Sequence, residues 1–136
     1  MSTAVDSSAL FAMLNKEQGW EQWNRLLREA LSDGPLLVCP VVFAEVSMGF
    51  PSDAVCLHAL QSLGIEYSPF NPQAAWRAGR SFLSYRREGG PRAHLIPDFL
   101  IAAHAVTQAH RLAAIDRGYL RRYFADLELL QLQTRS

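Results

Sequence analysis

One lysine, Lys16, and two cysteines, Cys39 and Cys56, are all that the chain holds of its most reactive side chains. The cysteines fall in no metal-ligand spacing and each sits in an apolar run, which excludes a disulfide framework or a thiolate zinc site and reads as two buried free thiols in a reducing cytoplasm. Charge of one sign is lacking too: Lys+Arg and Asp+Glu both number 13, so no global positive field draws in nucleic acid and any attraction for phosphate is local. No apolar run approaches the roughly 18 residues of a membrane span, and Met1 to Asp6 has neither a basic start nor a long apolar stretch, so a soluble, non-exported protein without membrane association is expected. Repeats and low-complexity tracts are absent. What is present is 49% hydrophobic content over 136 residues, enough for one core and too short for two ordinary domains, so a single domain over 1–136 is expected.

Glycine and proline punctuate periodic segments. A short strand ending at Val5 is followed by a helix from Ser7 to Leu14 and a second from Trp20 to Leu31, with Trp20, Trp23, Leu27 and Leu31 on one apolar face. Leu36 to Cys39 reads as a strand buried on both faces, and Pro40 opens a helix carrying Val41 to Met48. A helix over 52–63, a strand at Ile65 to Tyr67 and a helix from Asn71-Pro72 to Glu88 follow. The spacing then predicts a central apolar helix from Asp98 to His110, a buried strand from Leu112 to Ile115, a short helix from Gly118 to Phe124 and an edge strand from Leu127 to Leu130. Alternation of this kind implies an α/β three-layer sandwich, a mostly parallel central sheet flanked by helices.

Most of the acids lie in polar company, but four do not. Asp6 and Asp116 each follow an apolar strand, at the edge where open parallel sheets bind ligands. Glu45 is surrounded by Val41 to Ala44 and Val46, and Asp98 opens the most hydrophobic helix. A buried lone carboxylate costs several kcal/mol or takes up a proton, so each needs a cation or several donors. The apolar segments offer no lysine or arginine to match them. A shared Mg²⁺ or Mn²⁺ satisfies all four, since carboxylate oxygen is the ligand these ions prefer. Individually, Asp6 and Asp98 also fit helix caps and Asp116 a turn; Glu45 fits neither.

The segments Val5-Asp6-Ser7-Ser8, Ala44-Glu45-Val46-Ser47-Met48-Gly49, Pro97-Asp98-Phe99-Leu100-Ile101-Ala102-Ala103 and Leu112 to Asp116 with Arg117-Gly118-Tyr119, in this order, resemble the PIN-domain ribonucleases, in particular the VapC-type toxins of toxin-antitoxin pairs. The resemblance spans nearly the whole chain and implies a PIN-like fold and hydrolysis of RNA phosphodiester bonds by an endoribonuclease. It also implies Asp6, Glu45, Asp98 and Asp116 as catalytic residues and metal ligands, and Ser8 as a supporting hydroxyl. Implied partners are an RNA substrate, a cognate antitoxin and a second copy of the chain in a homodimer. One departure stands out: the family often has Thr or Ser two residues before the fourth acid, where this chain has Ala114.

Around the acids, Arg77, Arg80, Arg87 and Arg117 are candidates for binding RNA phosphates, against the alternative of a solvated helix face. His94 lies four residues before Asp98, whereas His104 is about 240° around the helix from it and reads as a core or interface residue. Trp20, Trp23, Trp76 and Phe82 read as core or partner interface. Two alternatives differ in class. A signalling receiver domain needs a buried lysine after a late strand, a place Lys16 does not occupy. A non-catalytic PIN-like module that binds RNA or protein fits all but the chemistry, and Ala114 is the feature that favours it.

Overall fold

The computed structural model describes residues 1–90, 96–115 and 118–132. Five strands form one sheet: β1 (Thr3–Val5), β2 (Leu36–Val38), β3 (Ile65–Tyr67), β4 (Arg111–Ala113) and β5 (Leu129–Leu130). Their order is β3-β2-β1-β4-β5 and every pairing is parallel, with Thr3 opposite both Leu36 and Arg111. Parallel neighbours require crossovers, and the helices supply them: α1 (Ser7–Leu14), α2 (Trp20–Asp33), α3 (Pro40–Ser47), α4 (Asp53–Ser62), α5 (Pro72–Arg87), α6 (Ile96–Gln108) and α7 (Tyr119–Tyr123).

The chain moves outward from β1 to β2 and β3, then crosses back to β4 on the other side of β1. With right-handed crossovers, α1 to α4 cover one face and α5 to α7 the other. In the packing α1 lies against α2 and α3, and α5 lies along α6 with both touching α7, while α3 and α6 meet across this division. The three-layer α/β arrangement is the expected one.

Local chemistry explains the boundaries. Asp6, Ser52 and Asn71 each cap the helix that follows, accepting from the N–H of Ser8, Val55 and Ala74. Pro40 and Pro72 sit in first turns, where a missing N–H leaves no hydrogen bond unmade. The core is built from β1, β2 and β4 with α6, whose Phe99 and Ile101 to Ala105 are all buried, and Phe99 is ringed by Phe82, Tyr85, Tyr123 and Phe124.

Several boundaries differ from the sequence expectation. The helix α6 begins at Ile96, so Asp98 stands inside its first turn rather than capping it, and ends at Gln108. Strand β4 ends at Ala113; Ala114 and Ile115 lie beyond it, and Ile115 is 54% exposed instead of buried. Cys39 is the cap of α3 rather than the last residue of β2. Helix α2 extends past Leu31 to Asp33, and Leu31 is exposed while Ala30 takes a place in the core. In each case the apolar run was longer or shorter than the stretch the ladder or the helix could bond.

Candidate metal and nucleic-acid site

Strand order reverses at β1, with β2 on one side and β4 on the other, so the gap between the C-terminal ends of β1 and β4 is the topological switch point of the sheet. Asp6 stands there. Its backbone N–H donates to Ala113 O at 2.9 Å, extending the β1–β4 pairing by one bond, and the residue is 5% exposed. Among the described residues it is the one buried carboxylate.

Ser8 supplies two donors to one oxygen of that carboxylate. Its backbone N–H lies 3.2 Å and its hydroxyl 2.5 Å from Asp6 Oδ2. The Ser8 oxygen is also 3.5 Å from the N–H of Ile115, which ties the start of α1 to the segment leaving β4. Beside them, Cys39 opens α3. Its thiol is pushed above its usual pKa, first by burial, which outweighs the N–H groups of Val42 and Val41, and further by the negative charge of Asp6. It is an inert neutral neighbour.

Glu45 lies on α3, the helix that starts one residue after β2, and Asp98 in the first turn of α6. These two helices pack against each other, and α3 also packs on α1, so the elements bearing Asp6, Glu45 and Asp98 are mutually adjacent. Glu45 is half-buried with Oε1 shielded from solvent, and Asp98 is half-buried. Asp116 and Arg117 lie outside the described residues, as does His94. Among the described residues no three His, Cys, Asp or Glu side chains stand together as a group able to hold a metal ion. The donor chemistry nevertheless fits a hard divalent cation: oxygen only, with one carboxylate buried, one half-buried and the thiol nearby held neutral.

The arginines expected to meet phosphate divide. Arg77 is held by Asp126, with nitrogens 2.6 and 3.2 Å from its two carboxylate oxygens, and the pairing raises the Arg77 pKa and lowers that of Asp126. Arg80 stacks over the exposed Trp76 ring at 4.4 Å. Arg87 ends α5 and is exposed. His104 is a core residue as the helical angle implied: it is 0% exposed, its Nε2 lies 2.9 Å from Ser68 Oγ, and burial pushes its pKa down to about 4.

Sequence reasoning missed a cavity of about 610 Å³ on the other side of Ser8, between α1, the α1–α2 turn and the segment after β5. Its lining comes from separate parts of the chain, and only the exposed Ile115 marks it.

The family model of the PIN domain matches residues 3–124. The chain belongs to the PIN domain family. No curated protein matches it. Among solved structures, PIN-domain likeness extends to chains from three VapBC assemblies. One is VapBC2 from Rickettsia felis bound to a promoter DNA fragment, with TM-score 0.77 and 17% identity, covering 98% of this chain and 100% of that one. Another is VapBC-1 from nontypeable Haemophilus influenzae, with TM-score 0.70, 16% identity and coverage of 96% and 98%. DNA-bound VapBC from Salmonella typhimurium aligns with TM-score 0.61, 17% identity and the same coverages. At such identities the likeness is one of fold. No helix among the described residues of this PIN chain is long and apolar enough to cross a membrane.

Proposed function

We propose that this PIN chain, a single domain over 1–136, is an endoribonuclease dependent on Mg²⁺ or Mn²⁺, the toxin of a toxin-antitoxin pair. The observation that carries the reading is the burial of Asp6 at the switch point between β1 and β4, next to the two helices that bear Glu45 and Asp98. The C-terminal edge of an open parallel sheet, where the strand order reverses, is where such sheets bind their ligands. Membership of the PIN family supports nuclease chemistry, and the likeness to VapBC assemblies supports an antitoxin as partner.

Asp6, Glu45, Asp98 and Asp116 are the proposed ligands and catalytic residues. These carboxylates would hold a divalent ion, whose chemistry there would be to acidify water and offset charge on the scissile phosphate. The protein's own contribution is positioning. Ser8 fixes the direction of Asp6 by two hydrogen bonds, and the apolar surroundings of Glu45 limit water around its carboxylate. Arg87 and Arg117 are the proposed phosphate contacts, with Arg77 and Arg80 contributing less because Asp126 and Trp76 already engage them. A homodimer in the cytoplasm, restrained by its antitoxin, completes the reading.

Cleavage of mixed single-stranded RNA tests it. Mg²⁺ or Mn²⁺ supports cleavage, a chelator stops it, and Asp6→Asn or Asp98→Asn abolishes it while circular dichroism and melting stay native. Wild-type cleavage by either variant removes the assignment. The second reading, a PIN module that binds without turnover, is favoured by Ala114 in place of a hydroxyl residue. RNA retention without chelator-sensitive cleavage selects it.

A further inference from the structure

We propose that the cavity beside Ser8 is a nucleobase subsite, which accepts a base of single-stranded RNA next to the cleaved phosphate and prefers bases that carry an amino group. The inference rests on the nuclease reading for its substrate class. Phe11, Trp23, Ile115 and Leu132 give the cavity its apolar walls, and Gln18 and Gln131 are among its lining residues. A concave, mostly apolar space with a few convergent polar groups is how proteins hold a small planar ligand. Amides present a donor and an acceptor together, the complement of a base edge.

Position ties the cavity to the chemistry. Ser8 lines it, and the same Ser8 hydroxyl lies 2.5 Å from Asp6, so one side chain separates a ligand in the cavity from the proposed catalytic carboxylate. The turn that carries Gln18 is anchored, with Glu17 N–H on Ala12 O at 2.9 Å and Trp20 N–H on Glu17 O at 3.0 Å. It closes on the far wall at Gly19, whose left-handed backbone (φ 89°) leaves a Cβ position only 3.3 Å from Leu132.

Charge selects the base rather than the backbone as occupant. Glu17 is the one charged residue among the described residues of the lining, and a carboxylate repels phosphate. It accepts hydrogen bonds and donates none, so it suits the exocyclic amine of adenine, cytosine or guanine. Uracil offers one imide N–H flanked by two carbonyl oxygens, which the carboxylate disfavours.

The test titrates adenosine, cytidine and uridine separately into the ¹⁵N-labelled full chain and follows the Trp23 indole N–H and the Gln18 and Gln131 side-chain amides. Adenosine or cytidine shifts these signals, uridine binds roughly ten-fold more weakly, and Glu17→Gln brings the three within about three-fold of one another. The proposal is overturned if no nucleoside moves the signals, if uridine binds as well as the others, or if Glu17→Gln leaves the ratio unchanged. It is also overturned if N-acetyltryptophanamide moves them and the nucleosides do not, which marks a peptide subsite. A parallel cleavage assay separates the two readings: nucleoside binding without metal-dependent cleavage overturns the nuclease alone, and cleavage without nucleoside binding overturns the subsite alone.

Discussion

Ser8 points two donors at one oxygen of Asp6, its N–H at 3.2 Å and its hydroxyl at 2.5 Å from Oδ2. Asp6 therefore serves twice, as the cap of α1 and as the buried carboxylate at the switch point. The two roles separate by substitution. Asn keeps an oxygen for Ser8, so Asp6→Asn changes unfolding free energy by no more than about 0.5 kcal/mol, whereas Asp6→Ala costs about 1–2 kcal/mol of cap. Urea denaturation of both variants checks this, and equal losses contradict it.

Removing the hydroxyl leaves Asp6 with its backbone donor but without its orientation. On the metal reading, Ser8→Ala weakens Mn²⁺ binding by roughly 10–100-fold, measured by calorimetry, with the helix content unchanged. Unaltered affinity means that Ser8 plays no part in ligand placement.

His104 makes stability fall with acid. It is buried with Nε2 against Ser68 Oγ and no hydrogen bond to Nδ1, and its pKa is pushed down to about 4 from an ordinary 6.5. Between those values the unfolded chain binds the proton and the folded one does not. The contribution is complete above pH 6.5 and lost as pH falls toward 4, by up to roughly 3 kcal/mol. His104→Leu flattens that part of the stability profile; an unchanged slope rules the histidine out as its source.

The bidentate Arg77–Asp126 pair is largely exposed, at 36% and 57% of the two side chains, so solvent screens it. A double-mutant cycle gives a coupling below about 1 kcal/mol. Arg87→Ala lowers the salt dependence of RNA binding by about one ion, and Arg77→Ala by less, because Asp126 already neutralises it. Equal effects of the two would contradict that ranking.

Two glycines predict opposite signs. A Cβ on Gly34 falls 2.2 Å from the carbonyl oxygen of Met1, so Gly34→Ala must displace the N-terminal residue and its amine's hydrogen bond to Asp33 O, and destabilises by about 1 kcal/mol. Gly79 lies inside α5, exposed, with nothing within 4 Å of its Cβ position. Gly79→Ala stabilises by about 0.5–1 kcal/mol, read from the melting curve.

The α/β alternation, the helix caps at Asp6 and Asn71, the first-turn prolines and the four acids in apolar company were legible along the chain, because caps and hydrophobic periods are properties of neighbours a few residues apart. Boundaries were less so. Ile115 looks like one more strand residue, yet the β4 ladder ends at Ala113 and leaves it exposed.

Only the tertiary structure decided which strands lie side by side, and hence that Asp6 stands at the reversal between β1 and β4. It also decided that Asp126 claims Arg77, from 49 residues away, and that residues as far apart as Ser8 and Leu132 line a single pocket. Pattern fixes what each segment becomes, since that depends on local backbone bonding and on which face is apolar. Pairings between distant segments depend on how the layers close around the sheet, and no short window of sequence contains that.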